Sequence, residues 1–107
     1  MPEPMHLQLK DCVRVTEDWG QMHVPPGDRP SFAHCVVTSA GVIEFAEHHD
    51  RQVLVLSGHG LANIAGYSFP LTVNDILQIP HGIQFEIEPI ANNTITVLIF
   101  HTARPAP

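Results

Sequence analysis

Glu47-His48-His49 places a carboxylate beside two imidazoles, in a chain that carries eight histidines among its 107 residues. These donor types bind borderline divalent cations, so metal binding is the first chemistry the stretch suggests. In an extended strand, residues two apart share a face, which pairs Glu47 with His49 and turns His48 to the other side unless the strand bulges. A tight hairpin around Asp50-Arg51 sets Gln52 across from His49, whereas a three-residue loop sets it across from His48. The plain alternative leaves His48 and His49 as half-exposed hairpin residues. For His34, near the first inward strand, and His101, at the end of Ile95-Thr96-Val97-Leu98-Ile99-Phe100, a hydrogen-bonded or surface role outweighs ligation. His59 and His81 stand beside glycines in turns and read as exposed, and Trp19 and Tyr67 read as packing residues. His6 and His23 have no assignable role.

Other chemistries find little support. No nucleophile elbow, phosphate-binding glycine loop, zinc-protease helix or dinucleotide fingerprint is present. Ser57-Gly58-His59-Gly60 brings a serine near a histidine, but no orienting acid or oxyanion hole can be named. The formal net charge of −6, from 11 acidic and five basic residues, repels phosphate backbones and argues against a nucleic-acid partner. Cys12 and Cys35 are too few and too far apart for a disulfide framework or a metal knuckle, and they read as reduced thiols. No apolar run reaches the length of a membrane span, and the first residues lack the basic start and apolar stretch of a signal peptide. The expectation is a soluble, cytoplasmic protein with no membrane partner.

The elements that would position these residues are short. Apolar segments rich in Val, Ile, Leu, Phe and Thr alternate with Gly, Pro, Asn and Asp, a pattern of strands and turns. Strands are expected at His6 to Arg14, Phe32 to Thr38, Val42 to His48, Gln52 to Ser57, Leu61 to Ala65, Ser68 to Thr72, Ile76 to Ile79, Gln84 to Glu88 and Thr94 to His101. Asp18 to Pro30 reads as an irregular arm, and 103–107 as a frayed tail. Many short strands at regular spacing favour a sandwich or closed barrel, since closure removes exposed edges. The whole chain, 1–107, reads as one all-β domain of mostly antiparallel strands.

Two stretches resemble the paired motifs of the cupin superfamily. The first family motif, G-x5-H-x-H-x3,4-E-x6-G, is matched at its opening by Gly41 followed by Val42-Ile43-Glu44-Phe45-Ala46 and Glu47-His48-His49. Val53-Leu54-Val55-Leu56-Ser57-Gly58 is similar to its closing strand and turn. Counting back from Gly58 puts Arg51 where the family has Glu and leaves the loop about two residues short; counting from Gly60 puts Val53 there. The second motif, G-x5-P-x-G-x2-H-x3-N, is followed without a gap from Asn74 through Pro80, Gly82 and Phe85. Asn74 replaces a glycine, which suits a residue that visits the left-handed region readily, and Phe85 replaces the histidine.

The resemblance implies a small jelly-roll β-barrel and a divalent transition metal, Mn, Fe, Ni or Zn. Its ligands would be Glu47 and His49, with Gln52 as a further ligand where some family members use Gln for Glu. His48, Val53, Val55, Ile83, Phe85 and His101 would wall the pocket around a small-molecule ligand. Three functions remain open: a metal-dependent enzyme, a metal-free binding barrel, and a non-catalytic module that supports a homodimer. The dimer expectation rests on an N-terminal strand free to cross to a partner's sheet. Neither reaction nor substrate follows from these residues, and fold analogy cannot choose between them.

Overall fold

The computed structural model describes residues 6–27, 30–90 and 93–102. The expected tail at 103–107 lies outside the described residues. Among the described residues a 3-10 turn at Leu9–Asp11 is followed by ten strands: β1 Val13–Glu17, β2 Gly20–Val24, β3 Phe32–Val37, β4 Gly41–Val42, β5 Asp50–Ser57, β6 Gly60–Ile64, β7 Tyr67–Leu71, β8 Ile76–Ile79, β9 Phe85–Pro89 and β10 Ile95–Thr102. They form two antiparallel sheets, one of six strands in the order β1-β2-β3-β10-β5-β8 and one of four in the order β4-β9-β6-β7. The sheets face each other in a jelly-roll arrangement without closing into a barrel. Among the described residues no helix is long and apolar enough to cross a membrane.

Alternation decides what lies between the sheets. On β3, Ala33, Cys35 and Val37 are fully buried while Phe32, His34 and Val36 are only partly so. On β10, Ile95, Val97 and Ile99 point inward, and Val97 and Ile99 lie beside Val55 and Val53 of β5. From the small sheet, Ala62, Phe85 and Ile87 close over them. Each large aliphatic or aromatic side chain so buried contributes about 1.5–3 kcal/mol, which makes this layer the main source of stability.

Two sequence expectations fail for identifiable reasons. Asp18 to Pro30 is not wholly irregular, because Gly20–Val24 is a strand pairing with both Val13–Glu17 and Phe32–Val37. Its start needs a glycine: a Cβ at Gly20 would come within 2.0 Å of the Val36 carbonyl oxygen. Conversely, within His6 to Arg14 the strand begins only at Val13, and β1 pairs with β2 as the edge strand of the large sheet. Trp19 packs in the core as expected, whereas Tyr67 is 69% exposed beside Phe69.

The motif turns behave as their residue types require. Asn74 adopts the left-handed conformation with φ 74°, the role a glycine would fill there. Gly58, at φ +88°, lies so near the Thr94 carbonyl that any Cβ would stand 2.2 Å from its oxygen. That close fit anchors the end of β5, and a bulge then shifts its pairing with β10 between Ser57 and Val55.

The two cysteines differ in reactivity. Cys35 is fully buried, and desolvation pushes its thiol up to about 12, so almost none of it is thiolate at neutral pH. Cys12 is partly exposed, its Sγ within 3.7 Å of the Gln8 carbonyl oxygen. A thiol-labelling reagent at neutral pH should therefore modify Cys12 readily in the folded protein and Cys35 only after denaturant is added. Rapid labelling of both in the native state would contradict this packing.

Candidate functional site

The stretch after β4 keeps its strand-like alternation without being a strand. Ile43 and Phe45 are buried and Glu44 is exposed, but the ladder stops at Val42. Ala46 then turns into the left-handed region at φ 50°, and the His49 amide donates to the Ala46 carbonyl at 2.9 Å, closing a turn. Glu47 and His49 thus lie in a turn and do not share a strand face, correcting the expected pairing. The hairpin around Asp50-Arg51 is also absent, since both residues belong to β5. With Arg51, Val53 and Val55 pointing inward, Gln52 must point outward, where it is exposed between Gln78 and Phe100. Gln52 therefore cannot join Glu47 and His49 in one ligand set. Among the described residues no group of three His, Cys, Asp or Glu side chains converges in a way that could hold a metal ion.

Arg51 occupies the inward position instead. It is 1% exposed and is the one charged residue of the described core. Its Nη1 donates to the Phe45 carbonyl at 3.4 Å, and its Nη2 donates to the Pro80 carbonyl at 3.3 Å and to the Ile83 carbonyl. The guanidinium carbon lies 5.5 Å from the centre of the Phe85 ring, within cation–π range. Burying a cation costs several kcal/mol, and hydrogen bonds to a charged donor, at about 1.5–3 kcal/mol each, offset that cost. Burial lowers the Arg51 pKa, opposed by the negative charges of Glu47 and Asp50.

Counted back from Gly58, Arg51 stands where the resembled first motif has its glutamate, and Phe85 stands where the second motif has its histidine. A guanidinium offers only donors and a phenyl ring no lone pair, so neither can ligate a cation. The residues present do not fit a metal at that position.

Above Arg51 lies an open cleft of about 730 Å³ lined by Pro30, Glu44, Phe45, Ala46, His48, His49 and His101. His101 faces Arg51 across the β5–β10 ladder. Its Nε2 lies 2.6 Å from the Pro30 carbonyl oxygen, which can only accept, so the proton resides on Nε2. The His49 ring tilts against His101 with centroids 4.7 Å apart, and Phe45 meets His101 edge-on at 5.7 Å. The Gly82 amide donates to the Glu47 carbonyl at 2.7 Å, tying the loop to the β8–β9 turn.

Of the expected pocket residues, His48 and His101 line this cleft, together with His49. Val53, Val55 and Phe85 are sealed in the core beneath it, and Ile83 packs on that core while giving its carbonyl to Arg51. Glu44, Phe45, Ala46 and Pro30 also line it, although no motif position marks them. His34 contributes nothing to the site: it pairs with His23 on the outward face of the large sheet, ring centroids 5.9 Å apart. His81 is exposed, as expected, and holds Asp50 through both its backbone amide, at 2.9 Å, and its ring, at 3.2 Å.

Replacing Arg51 with Met should strip the Phe45, Pro80 and Ile83 carbonyls of their donor and cost about 3–5 kcal/mol in a urea titration, the cost of breaking a buried charged network. Arg51→Lys should recover only part of that, because one ammonium lacks the planar fork. A change below about 1 kcal/mol for Arg51→Met would show that the network does not hold the two loops.

No protein-family model matches the sequence, and no curated protein matches it. Solved structures do resemble it. A variant of PAC13 from Streptomyces, solved with uridine, superposes with a TM-score of 0.74 at 15% identity over 96% of this chain and 86% of that one. The cupin domain of CENP-C from Drosophila melanogaster gives 0.70 at 13% identity over 87% and 77%. The plu4264 protein from Photorhabdus luminescens gives 0.65 at 16% identity over 97% and 90%. With two facing antiparallel sheets, a motif-bearing β5 and β8–β9 turn, and these likenesses, the chain has the jelly-roll fold of the cupin superfamily.

Proposed function

We propose that this domain binds a small organic molecule in the cleft above Arg51 and does so without a metal ion. One observation carries the reading: counted back from Gly58, Arg51 and Phe85 take the places of the resembled family's carboxylate and second-motif imidazole, while the cleft lined by Phe45, His49 and His101 stays open. A volume of about 730 Å³ lies within the range of about 300–1,000 Å³ common for ligand pockets. Its mix of apolar walls and a few polar groups is also typical of such sites. The likeness to PAC13, whose structure includes uridine, supports a small-molecule ligand for this fold.

The cleft has rigid supports. Phe45 is buried and its carbonyl is held by Arg51, His101 is fixed by Pro30, and the loop is pinned at Glu47 by Gly82. Preorganised walls lower the ordering cost of binding. His49 lines the cleft and is only partly buried, which places its ring to meet a ligand.

A fragment screen followed by amide chemical shifts should give hits that move Phe45, Ala46, His49 and His101 in protein dialysed against a chelator. His49→Ala should weaken such hits about tenfold, the value of one good hydrogen bond in a sheltered site. Hits that appear only after a transition metal is added would overturn the metal-free reading and restore the ligand role expected for His49.

A further inference from the structure

We infer that this chain carries a second binding site, a cleft between the β1–β2 turn and the segment around β4, and that it takes small hydroxylated primary amines, the class that includes amino sugars. The site is independent of the cleft above Arg51 and shares with it only the Glu44 wall. Its volume of about 330 Å³ lies at the lower end of the range of about 300–1,000 Å³ usual for small-ligand pockets. Glu17, Asp18 and Trp19 line one side, and Gly41, Val42 and Glu44 the other.

The indole of Trp19 marks this cleft as a prepared site. Trp19 is 4% exposed, yet its Nε1–H bonds to no described residue and still reaches the surface. Since the little surface that Trp19 keeps lies on this cleft, the N–H opens into it. Gly41 gives that edge of the ring its room: a Cβ there would stand 2.8 Å from Cδ1, the atom bonded to Nε1. The turn beneath is held firmly. The Trp19 carbonyl accepts from the Thr38 amide at 2.7 Å, the Ser39 amide at 3.1 Å and the Thr38 hydroxyl at 3.2 Å, and the Ser39 hydroxyl donates to the Asp18 carbonyl at 3.0 Å. A donor fixed in this way lowers the ordering cost of binding.

An indole N–H only donates, so the ligand must bring an acceptor such as a hydroxyl oxygen. The acidic side chains ask for the reverse, because carboxylates accept only. None of Glu17, Asp18 and Glu44 hydrogen-bonds or pairs with a described residue through its side chain. They do not converge as a metal ion would require, so the partner that suits them spreads its donors over a larger body. An ammonium group does so with charge-assisted hydrogen bonds, and Val42, 40% exposed, gives the carbon skeleton an apolar patch. Glu17 and Asp18 set the sign, and no lysine or arginine lines the cleft. Both stand at the corner where Gly20 pairs with Val37. The described chain breaks beside charged residues only before His6, between Gly27 and Pro30, and after Thr102. Those points lead into the Phe32 end of the large sheet, about 17 Å away along β3.

Trp19 is the only tryptophan of the chain, so the test reads a single signal, the indole Nε1–H of the intact protein labelled with nitrogen-15, at neutral pH and low salt. Three matched probes are titrated: trans-4-aminocyclohexanol, cyclohexane-1,4-diol and 4-hydroxycyclohexanecarboxylate. The amino alcohol should shift the indole signal and the Gly41 and Val42 amides, and bind about tenfold more tightly than the diol. The hydroxy acid should move none of them. Glu17→Gln combined with Asp18→Asn, both at exposed positions, should bring the amino alcohol to within about threefold of the diol and leave the diol unchanged. An indole signal unmoved by all three probes at millimolar concentration would overturn the site, as would shifts confined to His49 and His101, which would put the amine in the cleft above Arg51. A hydroxy acid bound as tightly as the amino alcohol, or a double variant that keeps the full preference, would overturn the ligand class.

Discussion

The guanidinium of Arg51 holds the open end of this domain together. From an inward position on β5 it reaches the main chain of the β4–β5 loop at Phe45 and of the β8–β9 turn at Pro80 and Ile83, with Phe85 of β9 beneath it. It thus joins the large sheet to loops that lead into the small one. A bound ion could tie the same elements by drawing ligands from several strands; here a single side chain does so with hydrogen bonds. The planar fork suits the task, since its N–H groups diverge toward carbonyls that approach from different directions.

This one residue explains the fate of the neighbouring motif positions. Because Arg51 faces inward, Gln52 faces outward and the expected ligand trio never assembles. Because a cation is already present, an aromatic ring at Phe85 is a favourable neighbour where a second imidazole would be a poor one. The shortened loop follows too: Ala46 turns left-handed, and the chain enters β5 at Asp50. His49 is left lining the cleft with its ring tilted against His101.

Much of the fold is legible in the sequence, for physical reasons that differ by element. Ile76–Ile79 can be read with its observed limits because Asn74-Asp75 and Pro80 punctuate it on both sides. The strand at Gly20–Val24 is hidden by the prolines that follow it and by a glycine that serves close backbone approach. The expected strand from Val42 to His48 is a faithful reading of alternation: Ile43 and Phe45 are buried and Glu44 exposed, yet the ladder ends at Val42 with one further bond from the Ile43 amide to the Phe85 carbonyl, because periodicity reports burial and not pairing. The site is legible only in part. The count from Gly58 places Arg51 where a carboxylate is expected, but a missing ligand does not announce that its replacement fills the space. Pro30 and Glu44 meet His101 and His49 only through tertiary packing, which no local spacing encodes.

The role of Arg51 is open to direct measurement by nuclear magnetic resonance of the arginine side chains in protein labelled with nitrogen-15. Arg51 should show separate guanidinium Nη–H signals, shifted by hydrogen bonding, exchanging slowly with water and unchanged by a chelator, because its Nη groups are held by the Phe45, Pro80 and Ile83 carbonyls. A single averaged, rapidly exchanging Nη–H signal, like that of an exposed arginine, would contradict the claim that this guanidinium is locked in the position a metal ligand would take.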